Sequence, residues 1–204
     1  MSWKKRTTRL QDIAEGLVKA GALQFGTFTL PDGSDSSYYV NLAGLPAYPG
    51  VFRLVVNSMT ELISEKAPKD DAIFTVPLAG LALASPIAVG LRRPLAYARP
   101  AKLSGERSIE GEVRPGWKVS VVDDLSTTGK SILSAAKAAE AEGGSVKHAF
   151  VLIDRQEGAT ARLSKEGISL HSVTDMVELA DTLHSMELIS ESNLKAIAKS
   201  VGGQ

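Results

Sequence analysis

The amino-acid sequence predicts an α/β fold with a mainly parallel central sheet and helices on both of its faces. From residue 72 onward, short apolar runs that suit strands alternate with runs that have helical spacing. Such alternation is typical of strand–helix–strand units, whose strands lie parallel in one sheet. Ligands of these sheets bind beyond the carboxyl ends of the strands, so a functional site is expected in the loops that follow the strands.

The part of the chain before this alternation predicts two helices with a hairpin between them. Apolar residues recur at helical spacing over residues 8–22 and again over 51–66. Residues 25–30 and 37–42 have the composition of short strands, and residues 31–34, Pro-Asp-Gly-Ser, supply turn chemistry between them. An antiparallel hairpin is therefore expected between the two helices.

The alternating part predicts strands and helices in turn. The predicted strands cover residues 72–76, 94–97, 119–122, 146–153 and 168–173. The predicted helices cover residues 81–89, 130–142, 160–166, 175–184 and 191–200. Asp175 and Ser190 are the expected N-caps of the last two helices. The polar segment 99–115 shows no clear period.

Composition and charge are those of one globular domain. The 204 residues are 44% hydrophobic, and 23 basic side chains balance 23 acidic ones. Zero net charge gives no indication of a polyanionic partner such as nucleic acid. The chain has no cysteine, which excludes disulfides and thiolate metal sites. No apolar run approaches a membrane span and no signal core follows the basic N-terminus, so a cytoplasmic protein is expected.

The stretch that carries the most chemistry is residues 118–131. The β-favouring run 119–122 leads directly into Asp123 and Asp124, a turn of small hydroxyl residues and glycine, and then a helix. Free N–H groups at the start of that helix favour an anion, typically a phosphate. The two carboxylates repel a phosphate, so they must face sugar hydroxyls or a divalent cation. The stretch therefore predicts a ligand that has both a phosphate and a polyol.

The unperiodic segment 99–115 is the second informative region. Loops of more than about 12 residues inside a compact domain are usually functional or disordered. This one holds four basic residues, Arg99, Lys102, Arg107 and Arg114. A mobile basic loop beside a phosphate site suits a lid that closes over an anionic substrate. A solvated hairpin with ordinary surface charges remains the alternative.

Four motifs together resemble one enzyme family. Residues 121–131, Val-Val-Asp-Asp-Leu-Ser-Thr-Thr-Gly-Lys-Ser, resemble the phosphoribosyl diphosphate (PRPP) signature of type I phosphoribosyltransferases. Residues 22–41 are similar to the N-terminal hood of the orotate phosphoribosyltransferases. Residues 153–158, Ile-Asp-Arg-Gln-Glu-Gly, resemble that family's orotate loop, and residues 109–111 resemble the end of its mobile loop. The similarity runs from about residue 8 to residue 190.

The resemblance implies a type I phosphoribosyltransferase fold with a small N-terminal hood. One domain would then cover residues 1–204. The hood would lie mainly in residues 8–45, the core in about 46–190, and a C-terminal helix in about 190–200.

The resemblance also implies which residues form the site. Those implied to act in catalysis are Lys102, Asp123 and Asp124. Those implied to bind PRPP are Arg99, Lys102, Asp123, Asp124, Leu125, Ser126, Thr127, Thr128, Gly129, Lys130 and Ser131. Those implied to contact orotate are Tyr38, Tyr39, Thr127 and Arg155. A guanidinium such as that of Arg155 can grip a carboxylate with two parallel hydrogen bonds.

Alternatives stay open for three of these residues. Tyr38 and Tyr39 alternate on a strand, so one of them should face the core whatever the function. Arg155 could instead be a surface ion-pair residue.

The implied reaction joins orotate to the phosphoribosyl group of PRPP, giving orotidine 5′-monophosphate and diphosphate in pyrimidine biosynthesis. Mg²⁺ is the expected cofactor, held through PRPP near Asp123 and Asp124 with no dedicated protein ligand. A homodimer is expected, in which the mobile loop reaches the neighbouring subunit.

The sequence departs from the family pattern at several cationic positions. Pro31, Ala79 and Pro100 stand where the family has lysine, and Ser104 stands where it has histidine. These changes leave two other functions open: a phosphoribosyltransferase for another base, and a non-catalytic homologue that binds PRPP or a nucleotide.

Overall fold

The computed structural model describes residues 3–29, 35–99 and 109–202. The chain forms two compact units. The first combines the described residues up to Val55 with those from Thr174 onward, and the second runs from Val56 to Val173. The assignment of all residues to a single domain stays a prediction. No helix in the described ranges is long and apolar enough to cross a membrane.

Helices and strands alternate along most of the chain. The helices are α1 (Trp3–Lys19), α2 (Pro49–Lys66), α3 (Ala79–Leu91), α4 (Lys130–Ala141), α5 (Ala159–Lys165), α6 (Met176–Ser185) and α7 (Glu191–Gly202). The strands are β1 (Leu23–Thr29), β2 (Asp35–Val40), β3 (Ala72–Thr75), β4 (Leu95–Ala98), β5 (Ile109–Glu110), β6 (Lys118–Val122), β7 (Leu125–Ser126), β8 (Ser145–Asp154) and β9 (Ser169–Asp175).

The first unit contains the predicted hairpin. β1 and β2 pair antiparallel, with Phe25 opposite Tyr38 and Gln24 opposite Tyr39. The turn between them, residues 30–34, lies outside the described residues. Helix α1 is confirmed, with bounds of 3–19 instead of 8–22; it ends just before Gly21, whose φ of +65° a side chain would make costly.

The two predicted N-caps at the end of the chain are confirmed. The Asp175 side chain accepts hydrogen bonds from the backbone N–H groups of Val177 and Glu178 at the start of α6. The hydroxyl of Ser190, the residue before α7, accepts one at 3.2 Å from the N–H group of Asn193 in the first turn of that helix.

The second unit is built on the predicted, mainly parallel sheet. Its strand order is β5-β4-β3-β6-β8-β7, and β9 also pairs with β8. The pairs β3–β4, β3–β6, β6–β8 and β7–β8 are parallel, and β5 pairs antiparallel with β4. All four residues of β3 and the last four of β6 are buried. Because successive side chains point to opposite faces, this burial means that both faces of the sheet are covered.

Helix α4 covers part of this sheet with an alanine-rich face. Its buried residues are Ile132, Ala135, Ala136 and Ala139. They belong to one core cluster with strand residues that include Val119, Val121, Val146 and Ala149. Small side chains bring α4 close to the strands, which fixes the helix start against the ends of β6 and β8.

Two short strands were not predicted. β5 lies inside the segment that showed no period, and it pairs with β4 through Ala98–Ile109 and Tyr97–Glu110. β7 pairs with the end of β8. A two-residue strand has no periodicity of its own, so only its pairing partner identifies it.

Candidate active site

A cavity of about 260 Å³ opens at the carboxyl ends of β3 and β6 in the second unit. Residues 76–79, which follow β3, form one wall, and residues 123–132, which follow β6, form the rest. This is the position where the sequence predicted a ligand site. The cavity brings together the predicted PRPP-binding residues from Asp123 to Ser131.

The two aspartates are held by the backbone of their own loop. The N–H group of Asp124 donates to Asp123 Oδ1 at 2.9 Å, and the N–H group of Leu125 donates to Asp124 Oδ1 at 2.9 Å. Asp123 is buried. These bonds fix both carboxylates at the edge of the cavity before any ligand arrives.

A glycine on α3 makes room for this pair. A Cβ atom at Gly80 would lie 2.7 Å from Thr75 Oγ1 and 2.8 Å from Asp123 Oδ1. Both distances are too short for a side chain, so α3 can begin beside the carboxylate only because residue 80 is glycine. The Thr75 hydroxyl in turn donates to the carbonyl of Val122 at 2.7 Å, which ties the ends of β3 and β6 together.

Burial and mutual repulsion disfavour a double negative charge on the pair. Burial, followed by the charge of Asp124, raises the pKa of Asp123 to about 8. Burial also raises the pKa of Asp124 above its ordinary value. The protein alone therefore retains a proton on this pair at neutral pH. A cation or several hydroxyl donors would stabilise the ionised form, which is what the predicted ligand offers.

The turn after the acids exposes backbone N–H groups to the cavity wall. Gly129 adopts a φ of +74° and precedes α4 without a side-chain cap. Lys130 and Ser131 form the first turn of that helix. A helix start that lacks a protein cap is a favourable place for a phosphate.

The phosphate turn, residues 126–129, is bound along one side to the segment that follows β8. The carbonyl of Ser126 accepts from the N–H group of Arg155 at 2.9 Å, and the carbonyl of Thr127 accepts from that of Ala159 at 3.2 Å. The carbonyl of Thr128 accepts from Nε of Arg162 at 2.7 Å.

Arg155 lies at the end of β8, next to the phosphate turn. Its side chain is 12% exposed, and Nη2 lies 2.8 Å from Glu157 Oε1. The sequence had left open whether Arg155 belongs to the site or to a surface ion pair. The structure shows that Arg155 forms an ion pair with Glu157 and also lies beside the phosphate turn. Glu157 was not among the predicted site residues, although its opposite charge two residues from Arg155 was a signal for pairing.

The basic loop residues are placed only in part. Arg99 follows β4, and Glu110 Oε1 accepts from its Nε at 2.7 Å and pairs with its Nη2 at 2.6 Å. Arg99 is not among the residues that line the cavity. Lys102, with Pro100, Ser104 and Arg107, lies outside the described residues. The roles of Arg99 and Lys102 stay predictions.

The two hood tyrosines divide as the strand pattern predicted. Tyr38 is 1% exposed and belongs to the core, whereas Tyr39 is 39% exposed. The ring of Tyr39 lies 5.7 Å from that of Phe28 on the neighbouring strand. Contact of either tyrosine with orotate stays a prediction.

Comparison with known proteins identifies orotate phosphoribosyltransferases as relatives of this chain. No protein-family model matches the chain. The orotate phosphoribosyltransferase of Cenarchaeum symbiosum is 40% identical over 177 residues, which cover 85% of this chain and 88% of the relative. That of Sulfolobus acidocaldarius is 39% identical over 189 residues, which cover 92% of this chain and 94% of the relative.

Solved structures agree with these relatives. The orotate phosphoribosyltransferase of Aeropyrum pernix superposes with a TM-score of 0.77 at 32% identity, covering 87% of this chain and 99% of that one. The UMP synthase of Leishmania donovani gives a TM-score of 0.86 at 30% identity, with 95% of this chain matching 42% of that longer chain. The orotate phosphoribosyltransferase of Mycobacterium tuberculosis in complex with PRPP gives 0.65 at 27% identity, covering 84% of this chain and 98% of that one.

Proposed function

The chain belongs to the orotate phosphoribosyltransferase family, and we propose that it transfers the phosphoribosyl group of PRPP to orotate. The products are orotidine 5′-monophosphate and diphosphate, in the biosynthesis of pyrimidine nucleotides. The observation that carries this proposal is the cavity in which a carboxylate pair stands beside a turn with free N–H groups. Ribose 5-phosphate, with its hydroxyls and its phosphate, complements both features.

The carboxylates bind the sugar, and the turn binds the phosphate. Asp123 and Asp124 accept hydrogen bonds from the ribose hydroxyls, and the N–H groups of Thr127, Thr128 and Gly129 donate to the 5′-phosphate. These contacts fix C1′ of the ribose in the open part of the cavity. Holding one reactant in place beside the other is the main cause of rate acceleration in such a transfer.

The transfer breaks one bond and forms another at C1′. The bond from C1′ to the diphosphate oxygen breaks, and its electron pair leaves with diphosphate. N1 of orotate gives up its proton to water and forms the new bond to C1′ with the electron pair that remains. Positive charge develops on the ribose in between, and the nearby ionised pair of Asp123 and Asp124 stabilises that charge.

The acid pair also fits the expected Mg²⁺. Among the described residues, no group of three or more acidic or histidine side chains could hold a metal by itself. Magnesium ordinarily binds through one or two carboxylates together with substrate phosphates and water. Asp123 and Asp124 match that pattern. When bound, the ion neutralises charge on the departing diphosphate.

Orotate recognition is assigned to the loop after β8. The guanidinium of Arg155 would bind the orotate carboxylate, and Glu157, its ion-pair partner, would hold the guanidinium in place until substrate arrives. Tyr38, Tyr39 and Thr127 are proposed as further orotate contacts on the family resemblance alone. Arg99 and Lys102 are proposed to act on the diphosphate from the neighbouring subunit of a homodimer. A cytoplasmic location also stays a prediction.

One observation keeps a different base preference open. Ala79 lines the cavity after β3, where the family pattern has lysine, and Leu78 beside it is 79% exposed. Among the described lining residues, Lys130 is the one cation. A weaker charge around the diphosphate would lower the rate or change the accepted base.

The test is a transfer assay with a panel of bases. Purified protein is mixed with PRPP, Mg²⁺ and orotate, uracil, adenine or hypoxanthine, and nucleotide products are separated and identified. Orotidine 5′-monophosphate as the main product supports the proposal. Product with another base but not orotate would overturn the orotate assignment and keep the transferase. Binding of PRPP without product from any base would favour the non-catalytic homologue.

A further inference from the structure

We propose that Arg162 is a positioning residue for the phosphate turn. Its Nε–H group holds the carbonyl of Thr128, so that the N–H group of Gly129 faces the substrate phosphate. The inference rests on the proposed function in taking residues 126–129 as the binding site for the 5′-phosphate of PRPP. Arg162 lies on α5, outside every motif from which the site was predicted.

Three successive carbonyls of the phosphate turn are bound on the same side. Those of Ser126 and Thr127 accept from backbone N–H groups of the segment after β8, at 2.9 and 3.2 Å. The third, that of Thr128, has a side-chain donor instead, Nε of Arg162 at 2.7 Å. Arg162 thus completes a row of donors that the backbone of this segment begins.

Because the peptide bond is planar, binding the three carbonyls on one side directs the N–H groups of the same peptides to the other side, where a phosphate can bind. In a trans peptide, the C=O and N–H groups of one unit point in opposite directions. With the three carbonyls turned toward residues 155–162, the N–H groups of Thr127, Thr128 and Gly129 point the other way. Within the described parts of the chain, none of these three N–H groups donates to a protein acceptor. Successive N–H groups that converge in this way bind anions.

The peptide held by Arg162 is also the one with the most freedom to turn. It joins Thr128 to Gly129, and glycine rotates with little steric restriction. A Cβ at Gly129 would lie 3.2 Å from Cα of Ala159, so the turn packs closely on the start of α5 on this side. Without the Nε donor, the Thr128 carbonyl can turn toward the cavity, where its oxygen would repel a phosphate.

Three variants separate the hydrogen bond from charge and from shape. Arg162→Met places a methyl group where Nε stood and donates nothing. Arg162→Gln keeps an N–H donor at that position without the positive charge. Lys165→Met, on the same helix, removes an exposed cation, and the described structure shows no contact from it to the turn. Both positions, 162 and 165, are exposed, so the three variants should fold.

Binding is measured by calorimetry with ribose 5-phosphate, and kinetics with PRPP and orotate. Arg162→Met should weaken ribose 5-phosphate binding roughly threefold to tenfold, the range of one ordinary hydrogen bond. The KM for PRPP should rise by a similar factor, while kcat and the KM for orotate stay unchanged. Arg162→Gln should keep most of the affinity, and Lys165→Met all of it.

Each result decides the proposal. Unchanged ribose 5-phosphate affinity in Arg162→Met would overturn it. Equal losses in Arg162→Met and Arg162→Gln would also overturn it, because charge rather than the hydrogen bond would then be responsible. If wild-type protein binds ribose 5-phosphate but does not react with orotate, the proposed function fails, and the affinities of the variants still decide the role of Arg162.

Discussion

The hydroxyl of Ser126 donates a 2.7 Å hydrogen bond to Asp154 Oδ1, and both residues are buried. Ser126 is the first residue of the phosphate turn. Asp154 is the last residue of β8 and directly precedes residues 155–158, the proposed base loop that would bind orotate. The same carboxylate also accepts from the N–H group of Gln156 at 3.0 Å and from the hydroxyl of Thr160 at 3.3 Å. One aspartate therefore holds the phosphate turn and the proposed base loop in a fixed relation.

Replacing Ser126 with alanine tests this link. Loss of a buried, charge-assisted bond should lower the free energy of unfolding by about 1.5–3 kcal/mol and raise the KM values for both PRPP and orotate. Chemical denaturation and steady-state kinetics measure the two effects.

Ser120→Ala is the matched control for Ser126→Ala. Ser120 donates to Asp70 Oδ2 at 2.7 Å, away from the cavity-lining residues. The Ser120→Ala variant should have a lower free energy of unfolding, while its KM values for PRPP and orotate stay unchanged. KM values for Ser126→Ala that equal those of wild type would contradict the proposed link.

The raised pKa of Asp123 predicts an unusual pH dependence of stability. Its pKa is raised from 3.8 to about 8 in the folded protein. Between these two values the folded state keeps a proton that the unfolded state releases, so the free energy of unfolding falls as pH rises. Asp123→Asn carries no charge at any pH and escapes this loss. It should therefore gain stability relative to wild type at about pH 9, with a smaller difference at about pH 5.

Thermal unfolding of wild type and Asp123→Asn over this pH range measures the effect. The assay is done without Mg²⁺ or PRPP, because either ligand favours the ionised pair and would reduce the difference. A difference in Tm that does not change with pH would show that the Asp123 pKa is not raised.

Gly80 is predicted to be essential for the acid pair. In Gly80→Ala, the added methyl group would press against Thr75 Oγ1 and Asp123 Oδ1 at under 3 Å. The carboxylate must move, so kcat/KM for PRPP should fall by roughly tenfold or more, since small displacements of catalytic groups are costly.

The matched control for Gly80→Ala is Gly90→Ala at the other end of α3. The nearest atom to a Cβ there is Thr60 Cγ2, at an ordinary 3.8 Å. This variant should keep full activity and gain about 0.5–1 kcal/mol of helix stability. Full activity in Gly80→Ala would refute the close contact.

Arg155 is predicted to distinguish orotate from bases without a carboxylate. Arg155→Met should raise the KM for orotate by roughly tenfold to a hundredfold, the range of a charge-assisted bond. Binding of ribose 5-phosphate should be unchanged, because the backbone N–H group of Arg155, which donates to the carbonyl of Ser126, is kept in this variant.

Arg114→Met serves as the control, since Arg114 is an exposed arginine that pairs with Glu112. The Arg114→Met variant should have the wild-type KM for orotate and the wild-type affinity for ribose 5-phosphate. An unchanged KM for orotate in Arg155→Met would move orotate recognition to other residues.

The sequence was sufficient for the sheet and for one half of the site. A buried strand, two acids and a turn before a helix are contiguous, so residues 119–131 could be interpreted without knowing the fold. The structure places them together in one cavity, as predicted. The antiparallel hairpin and the N-caps of the last two helices were likewise visible as local patterns.

What the sequence missed depends on contacts between distant parts of the chain. Arg162 lies 34 residues from its partner Thr128, and Ser126 lies 28 from Asp154. Nothing in the local pattern of either residue indicates those bonds. Glu110 is similar: its pairing with Arg99 became visible only when β5 was placed beside β4.

In the proposed reaction, this chain uses orotate to displace diphosphate from PRPP. The most direct measurement is diphosphate release from PRPP and Mg²⁺, with and without orotate, alongside the amount of orotidine 5′-monophosphate formed. Release should depend on orotate and equal the amount of nucleotide formed, and it should nearly disappear in Asp124→Ala. Tight PRPP binding without orotate-dependent release of diphosphate would show that the chain does not catalyse this transfer.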